Sequence, residues 1–270
     1  ILILAAGCKS VTENPYTLIP QRIDFREFEQ PSSMYRSVPF YSLNDLLDSA
    51  ELDRQVEEFA KGGYGGVYLH SRTGLLTEYL GTDWWKVMDA GLKAAQRTGT
   101  YAWFYDEDKW PSGFAGGVVP LKSEDFHARC LARIKKSDPL PEGSKLLFSD
   151  ENFNYIEYKM RSGNAWYNGT CYVDLLNPAT VKEFINSSYV PYAERYAGSY
   201  GKDALGIFTD EPQMMSSTGD FVNEGIRPFS PVIAERFRKE NGYELYPVLP
   251  SLFDTIKGYE KVRIDYYRTL

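Results

Sequence analysis

Apolar positions along the chain come in two spacings that take turns. Short continuous runs, Val38 to Leu43, Gly66 to Leu69, Tyr101 to Tyr105 and Leu205 to Phe208, have the length and continuity of strands buried on both faces, as in a parallel sheet. Between them the spacing turns helical. Leu52, Val56, Phe59 and Ala60 share one face of a helix that Asp48 and Glu51 open with capping-box spacing and that Gly62 and Gly63 stop. Trp84, Met88, Leu92 and Ala95 share the face of a second helix, with Asp83 as its expected cap and Gly99 beyond its end. Strand, helix, strand, helix, strand with tight joints predicts a parallel sheet with crossover helices.

The pattern breaks between Gly113 and Tyr172. Phe153 to Met160 alternates, Ser162-Gly163-Asn164 reads as a turn, and Asn168-Gly169 predicts a hairpin between Trp166-Tyr167 and Thr170-Cys171-Tyr172. Residues from about 118 to 172 therefore read as a small antiparallel β insertion, of the kind that shapes the mouth of a barrel. Asn177 and Pro178 open a helix whose apolar face carries Val181, Phe184, Ile185, Tyr189, Tyr192 and Tyr196, and which Pro191 should kink. After the last strand, Ser230-Pro231 opens a helix through Ile233, Ala234 and Phe237 to Gly242, and Tyr259, Val262, Tyr266 and Leu270 mark a final helical face. The fold class predicted is α/β of the (β/α)8 TIM-barrel type. Residues 38–270 supply four βα units, and residues 9–37, with Pro15, Pro20 and Pro31, form a tether and lead-in. Because a complete barrel takes about 250 residues without insertions, the chain reads as the first half of one, a piece of a longer enzyme.

Composition narrows the function classes. The formal charge of -7 and the pI near 5.1 leave no basic stripe for a phosphate backbone, so nucleic acid is not an expected partner. Aromatic residues make up 15% of the chain, which permits a carbohydrate ligand, since flat rings with a polar edge suit the apolar faces of sugars. No apolar span reaches the roughly 18 residues of a membrane helix. Residues 1–8, Ile-Leu-Ile-Leu-Ala-Ala-Gly-Cys, resemble the end of a bacterial lipoprotein signal peptide with Cys8 as the lipidated residue. On that reading the protein is exported and meets the membrane only through a lipid anchor at the bacterial envelope. Cys130 and Cys171 either pair in that oxidising compartment or remain free thiols in the core.

The candidate chemistry lies where strands end. Thr209-Asp210-Glu211-Pro212 follows one apolar run and Asp106-Glu107-Asp108 follows another, with the loop Trp110-Pro111-Ser112-Gly113 next to it. In a β/α barrel the C-terminal ends of the strands carry the active site. Glycoside hydrolysis needs one carboxyl to protonate the departing oxygen and a second to activate water or attack the sugar. Glu211 is the first candidate and Glu107 the second, the alternative for Glu107 being that it braces its loop. Asp106 and Asp108 are candidate cation ligands, because clustered carboxylates suit calcium. Asn44, His70, Arg72, Trp110 and Asp210 are candidate substrate contacts. Trp110 would stack on a sugar face, and Arg72 would either meet hydroxyls or hold a neighbouring acid ionised. His127 sits beside acids in a helix that reads as exposed and receives no role. Glycines 113, 116 and 117 lack the lysine and the spacing of a nucleotide phosphate loop.

With these residues in place, the chain resembles the N-terminal catalytic region of α-L-rhamnosidase-type glycosidases, glycoside hydrolase family 106 and its relatives. The resemblance is carried by VPFYSLN (38–44), GGVYLHSRTGLLTEYLG (65–81), YDEDKWPSGFAGG (105–117), TDEP (209–212) and RIDYYRTL (263–270). It implies a (β/α)8 barrel, hydrolysis of terminal sugars, rhamnose among them, from oligo- or polysaccharides, and a bound calcium ion assisting an inverting mechanism. The competing classes are a glycan-binding lipoprotein without catalysis or a truncated, inactive fragment of such an enzyme, and a metal-dependent hydrolase built on Asp106, Asp108 and Asp210.

Overall fold

The computed structural model describes residues 25–214 and 225–270. Cys8 and most of the tether lie outside the described residues. After a short helix α1 (Phe25–Glu29), strand β1 (Phe40–Asp45) leads to helix α2 (Ser49–Lys61), β2 (Gly66–Leu75) to α3 (Thr82–Thr98), and β3 (Tyr101–Tyr105) to a long excursion. That excursion holds helix α4 (Val118–Lys122) and strands β4 (Arg129–Lys135), β5 (Ser144–Ser149) and β6 (Phe153–Lys159). The chain returns through α5 (Pro178–Phe184) and α6 (Val190–Tyr196) to β7 (Ala204–Phe208), then continues into β8 (Ile226–Pro228), α7 (Pro231–Asn241), α8 (Pro250–Phe253) and α9 (Tyr259–Thr269).

The molecule is mixed α/β with two four-stranded sheets, one parallel in the order β1-β2-β3-β7 and one antiparallel in the order β5-β6-β4-β8. The parallel sheet follows from its connections, since each of its strands is separated from the next by at least one helix. Leu52 and Val56 of α2, Trp84, Met88 and Leu92 of α3, and Tyr192 and Tyr196 of α6 close over Val67, Leu69, Ala102 and Phe104 on one face of the sheet. Each fully buried side chain of this size contributes about 1.5–3 kcal/mol. Asp48 caps α2 through a hydrogen bond from the Glu51 backbone N–H, as the spacing predicts. The cap of α3 differs: Gly81 holds the N-cap position, and Asp83 sits in the first turn paired with Lys86.

The other face of the parallel sheet carries the alternate residues, Phe40, Tyr68, His70, Trp103, Tyr105 and Phe208, and their geometry shows that the sheet curls. The Phe40 and Phe208 ring centroids are 5.1 Å apart, although β2 and β3 stand between their strands. In a flat sheet those strands would be separated by three spacings, roughly 14 Å. Tyr68 also reaches Phe208, at 5.9 Å, and stacks on Trp103 at 5.1 Å. Gly206 makes room for this packing, because a Cβ there would lie 2.9 Å from the Trp103 ring.

The excursion after β3 departs from the predicted insertion in detail. Phe153–Lys159 is a strand, but it pairs with β4 and β5, and β8 joins the same sheet after β7. Around Asn168-Gly169 the chain makes a 3-10 turn (Ala165–Tyr167), with Asn168 left-handed and a single bridge between Asn164 and Thr170 in place of a hairpin of two strands. Helices α7, α8 and α9 pack on the antiparallel sheet through Leu131, Tyr155, Phe237, Leu252 and Tyr266. The helix after β7 is therefore not the crossover helix of a fourth βα unit. Pro191 does not bend a continuous α-helix; the chain inserts a π-turn (Ile185–Tyr189) between α5 and α6. His127 is buried, with both ring nitrogens facing carbonyl oxygens, those of Met160 and Pro120. Cys130 and Cys171 are buried free thiols. Among the described residues no helix is long and apolar enough to cross a membrane.

Asp174 ties the two layers together. Its carboxylate accepts hydrogen bonds from the Leu176 N–H ahead of α5 and from the Ser230 hydroxyl at the start of α7. Burial pushes its pKa from 3.8 up to about 6, against the pull of the Ser230 bond. A carboxyl raised in the folded state lowers stability as pH rises, because the unfolded chain releases its proton first. The loss develops between about pH 4 and 6 and amounts to roughly 3 kcal/mol. Asn at this position cannot ionise, and the Ser230 hydroxyl can reverse to accept from its amide. Denaturant unfolding across that range should therefore show a fall in wild-type stability that is smaller by about that amount in Asp174→Asn.

Candidate active site

All strands of the parallel sheet end at one edge, and the residues singled out in the sequence gather there. β1 delivers Asn44, β2 His70 and Arg72, the loop after β3 carries Asp106 to Trp110, and the loop after β7 carries Asp210 and Glu211. The two loops are bonded to each other. Ser112 donates its backbone N–H to the Asp210 carbonyl (2.9 Å), and its hydroxyl accepts the Asp210 N–H (2.9 Å) while donating to Asp106 Oδ1 (2.6 Å). Tyr172, from the chain returning toward α5, donates to the Ser112 carbonyl and accepts from the Gln213 N–H. Trp110 Nε1 donates to Glu211 Oε2 at 3.0 Å. The motifs WPSG and TDEP thus form one structural unit.

The five acids in these loops have different fates. Glu107 is fully buried (0% exposed). Its Oε1 accepts from the N–H groups of Asp108 and Gly116, and its Oε2 from those of Gly113 and Ala115. Burial pushes its pKa well up and the backbone donors pull it back. Every hydrogen-bonding neighbour is a donor, so the arrangement is built for the carboxylate form. The loop takes left-handed turns to aim those N–H groups, with φ of +63° at Gly116 and +48° at Ala115. The glycine run after Asp106-Glu107-Asp108 is therefore an anion cradle whose anion is the protein's own Glu107, and this geometry supports loop bracing for Glu107 in place of a catalytic role.

Asp106 and Asp108 are also held by protein donors. Asp106 is buried, with Ser112 on one oxygen and the Tyr189 hydroxyl on the other at 2.7 Å. Burial raises its pKa and these two hydroxyls lower it. The π-turn explains the placement: it puts Ser188 and Tyr189 side by side, so that Ser188 donates to the Asp106 carbonyl while Tyr189 reaches the carboxylate. Asp108 accepts from Asn168 Nδ2 at 2.9 Å and lies 3.3 Å from Lys109 Nζ. An ammonium, an amide N–H and two hydroxyl donors are the wrong surroundings for a calcium shell, which needs several converging oxygens. Among the described residues no group of three or more His, Cys, Asp or Glu side chains converges in a way that could hold a metal ion. These residues do not fit the calcium site that the resemblance implies, and no chemistry is routed through one.

Asp210 and Glu211 are the acids at the open edge. Glu211 has φ of +42°, a left-handed conformation that costs a non-glycine residue about 1–2 kcal/mol, and it precedes a proline, which favours extended backbone. The turn brings its exposed carboxylate onto the Trp110 indole, and strain of this kind gathers at functional sites. Asp210 is half-buried, and its pKa is raised by burial and by Glu211, against the opposing charge of Arg72. His70, 1% exposed, stacks on Tyr105 with ring centroids 3.9 Å apart, and its Nε2 lies 4.0 Å from Asp210 Oδ2. Burial and the nearby Arg72 charge pull the His70 pKa down to about 4, so the ring is neutral at pH 7. Its Nδ1 and the Tyr105 hydroxyl are buried with no hydrogen-bond partner.

Arg72 and Asn44 are exposed. Asn44 lines a cavity of about 200 Å³ with Asp48, Glu51 and Gln55 between β1 and α2. None of the five acids lines that cavity, so the candidate site is the open rim around Asp210 and Glu211. Trp110 is 38% exposed, and its neighbour Trp166 is 41% exposed. The sequence reading used Trp166 only as part of a hairpin. The signal that could have located it is the aromatic run beside Asn168, whose amide reaches back to Asp108 and the Gly116 carbonyl.

No family model, curated protein or solved structure matches the chain, so the functional reading rests on the geometry of the rim.

The contrast between the acids can be tested by stability. Glu107→Gln places an amide N–H₂ against backbone N–H donors and strands at least one of them, which should cost about 3 kcal/mol. Glu211→Gln, on the exposed rim, should shift stability by no more than about 0.5 kcal/mol. Urea denaturation of both variants measures the difference.

Proposed function

We propose that the chain is the acid-bearing half of a glycoside hydrolase of (β/α)8 type, acting on terminal sugars of oligo- or polysaccharides, with rhamnose first among the candidates because of the resemblance. The observation that carries this reading is Glu211: a strained, exposed carboxylate fixed on the Trp110 indole at the strand edge where barrel enzymes do their chemistry. The curl that brings Phe40 against Phe208 supports the barrel plan. The parallel sheet then forms one wall of the barrel, and its aromatic face looks into the barrel.

In this reading Asp210 and Glu211 divide the two tasks, one giving a proton to the departing oxygen and the other taking a proton from the attacking water; burial and Glu211 raise the pKa of Asp210, and Arg72 limits that shift. Water adds its hydroxyl to the anomeric carbon, and the leaving group departs with the proton. The setting that belongs with this reading is an exported protein held at the bacterial envelope through Cys8. A glycan-binding protein without catalysis would use the same rim and is the alternative outcome.

Hydrolysis of a panel of 4-nitrophenyl glycosides, the α-L-rhamnoside first, checks the proposal. Wild-type protein should release nitrophenol, and Glu211→Gln should lower kcat by at least about a thousandfold. Wild-type turnover in Glu211→Gln would remove Glu211 from catalysis, and sugar binding with no hydrolysis of any glycoside would establish the binding protein instead.

A further inference from the structure

The rim has aromatic surface on both sides of its acids. On the inner side, Tyr105 stacks on His70, which faces Asp210, and Phe208 and Phe40 lie against the same imidazole. On the outer side, Glu211 is held by Trp110, whose ring meets Trp166 edge to face at 6.3 Å. The order in space is aromatic cluster, Asp210, Glu211, tryptophan pair. The two indoles are fixed through their polar edges. Trp110 Nε1 is committed to Glu211, and Trp166 Nε1 donates to the Trp110 carbonyl at 2.8 Å. What each ring has left to offer a ligand is flat apolar surface.

The turn that carries Trp166 is held in turn by the loop that carries Trp110. Asn168 donates to Asp108 and to the Gly116 carbonyl and accepts from Lys109 Nζ. Exposed indoles anchored this way lose little freedom when a ligand arrives, which favours binding. A flat apolar surface next to a carboxylate matches a pyranose ring, which has an apolar C–H face and a hydroxyl edge.

We infer that Trp110 and Trp166 form a second sugar subsite for the ring on the leaving-group side of the scissile bond, and that Trp166, contributed by the excursion after β3, sets the preference for what is attached to the terminal sugar. This rests on the glycosidase reading above, since the acids then lie between two sugar-binding surfaces. The ligand it implies is at least a disaccharide, with its terminal ring against the concave aromatic face and its second ring on the tryptophans.

Substrates that differ only in the leaving group test the inference. A glycosyl fluoride has no second ring, whereas a 4-nitrophenyl glycoside or a disaccharide of the same sugar does. Trp166→Ala should lower kcat/KM on the ring-bearing substrates by about tenfold and leave the fluoride within twofold, and Trp166→Phe should recover most of the loss. An equal fall on both kinds of substrate would mean that Trp166 only holds Trp110 in place, and unchanged kinetics on both would mean that no ring sits there; either result overturns the subsite. If wild-type protein hydrolyses nothing, calorimetric titration with a free disaccharide of that sugar decides separately. Binding weakened about tenfold by Trp166→Ala keeps the subsite while catalysis is lost, and equal binding by both proteins, or none by wild type, removes it.

Discussion

The hydroxyl of Ser112 is the interaction on which the rim depends. It donates to Asp106 and accepts from the Asp210 N–H, while the Ser112 backbone N–H reaches the Asp210 carbonyl. Two loops that follow different strands, about a hundred positions apart in the chain, are thereby locked in one register. The group is fully buried, so neither bond competes with water, and each is worth more there than on the surface. Asp106 in turn keeps its place through Tyr189 on the π-turn. The strained turn at Glu211 persists because the residue before it is pinned at both its N–H and its carbonyl.

Much of this was legible from the chain alone. The strands of the parallel sheet read as continuous apolar runs because both faces are covered or crowded, and helices α2 and α3 read from their periodicity because one face of each is in the core. The placement of acids where β3 and β7 end followed from those runs. The destination of the later helices was not legible. The spacing of Ile233 and Phe237, or of Val262 and Tyr266, records that a face is buried, and says nothing of which sheet buries it. The pairing of β8 with β4 is a contact between distant segments, and β8 is too short for any periodicity to mark it.

Glu107 and Glu211 show where residue-level reading ran out and where it had more to give. Each is a Glu that follows an Asp at a strand end, and on that ground both were candidates for the same chemistry. What separates them lies downstream: Glu107 is followed by glycines at 113, 116 and 117, and Glu211 by a proline. Glycines that tolerate left-handed backbone can turn successive N–H groups toward one point, which is an anion site regardless of whether the anion is a phosphate or a side chain. Rejecting nucleotide binding there was consistent with the missing lysine, but the loop still needed an anion, and the nearest buried one is Glu107.

The same comparison explains how five carboxylates stand near one edge without driving the loops apart. Unscreened like charges at these separations would repel by several kcal/mol. The protein settles three of them internally, Glu107 with backbone dipoles, Asp106 with two hydroxyls, and Asp108 with an amide and the Lys109 ammonium. Asp210 and Glu211 are left with oxygen atoms facing the rim, and Arg72 is the cation that acts on Asp210. A rim designed only for stability would neutralise these two as well, since the means to do so recur throughout the adjoining loop. Their place at the open edge, together with the exposure of Glu211 and the backbone strain there, leaves acid without an internal cation in one place, and that is the physical argument for a ligand there.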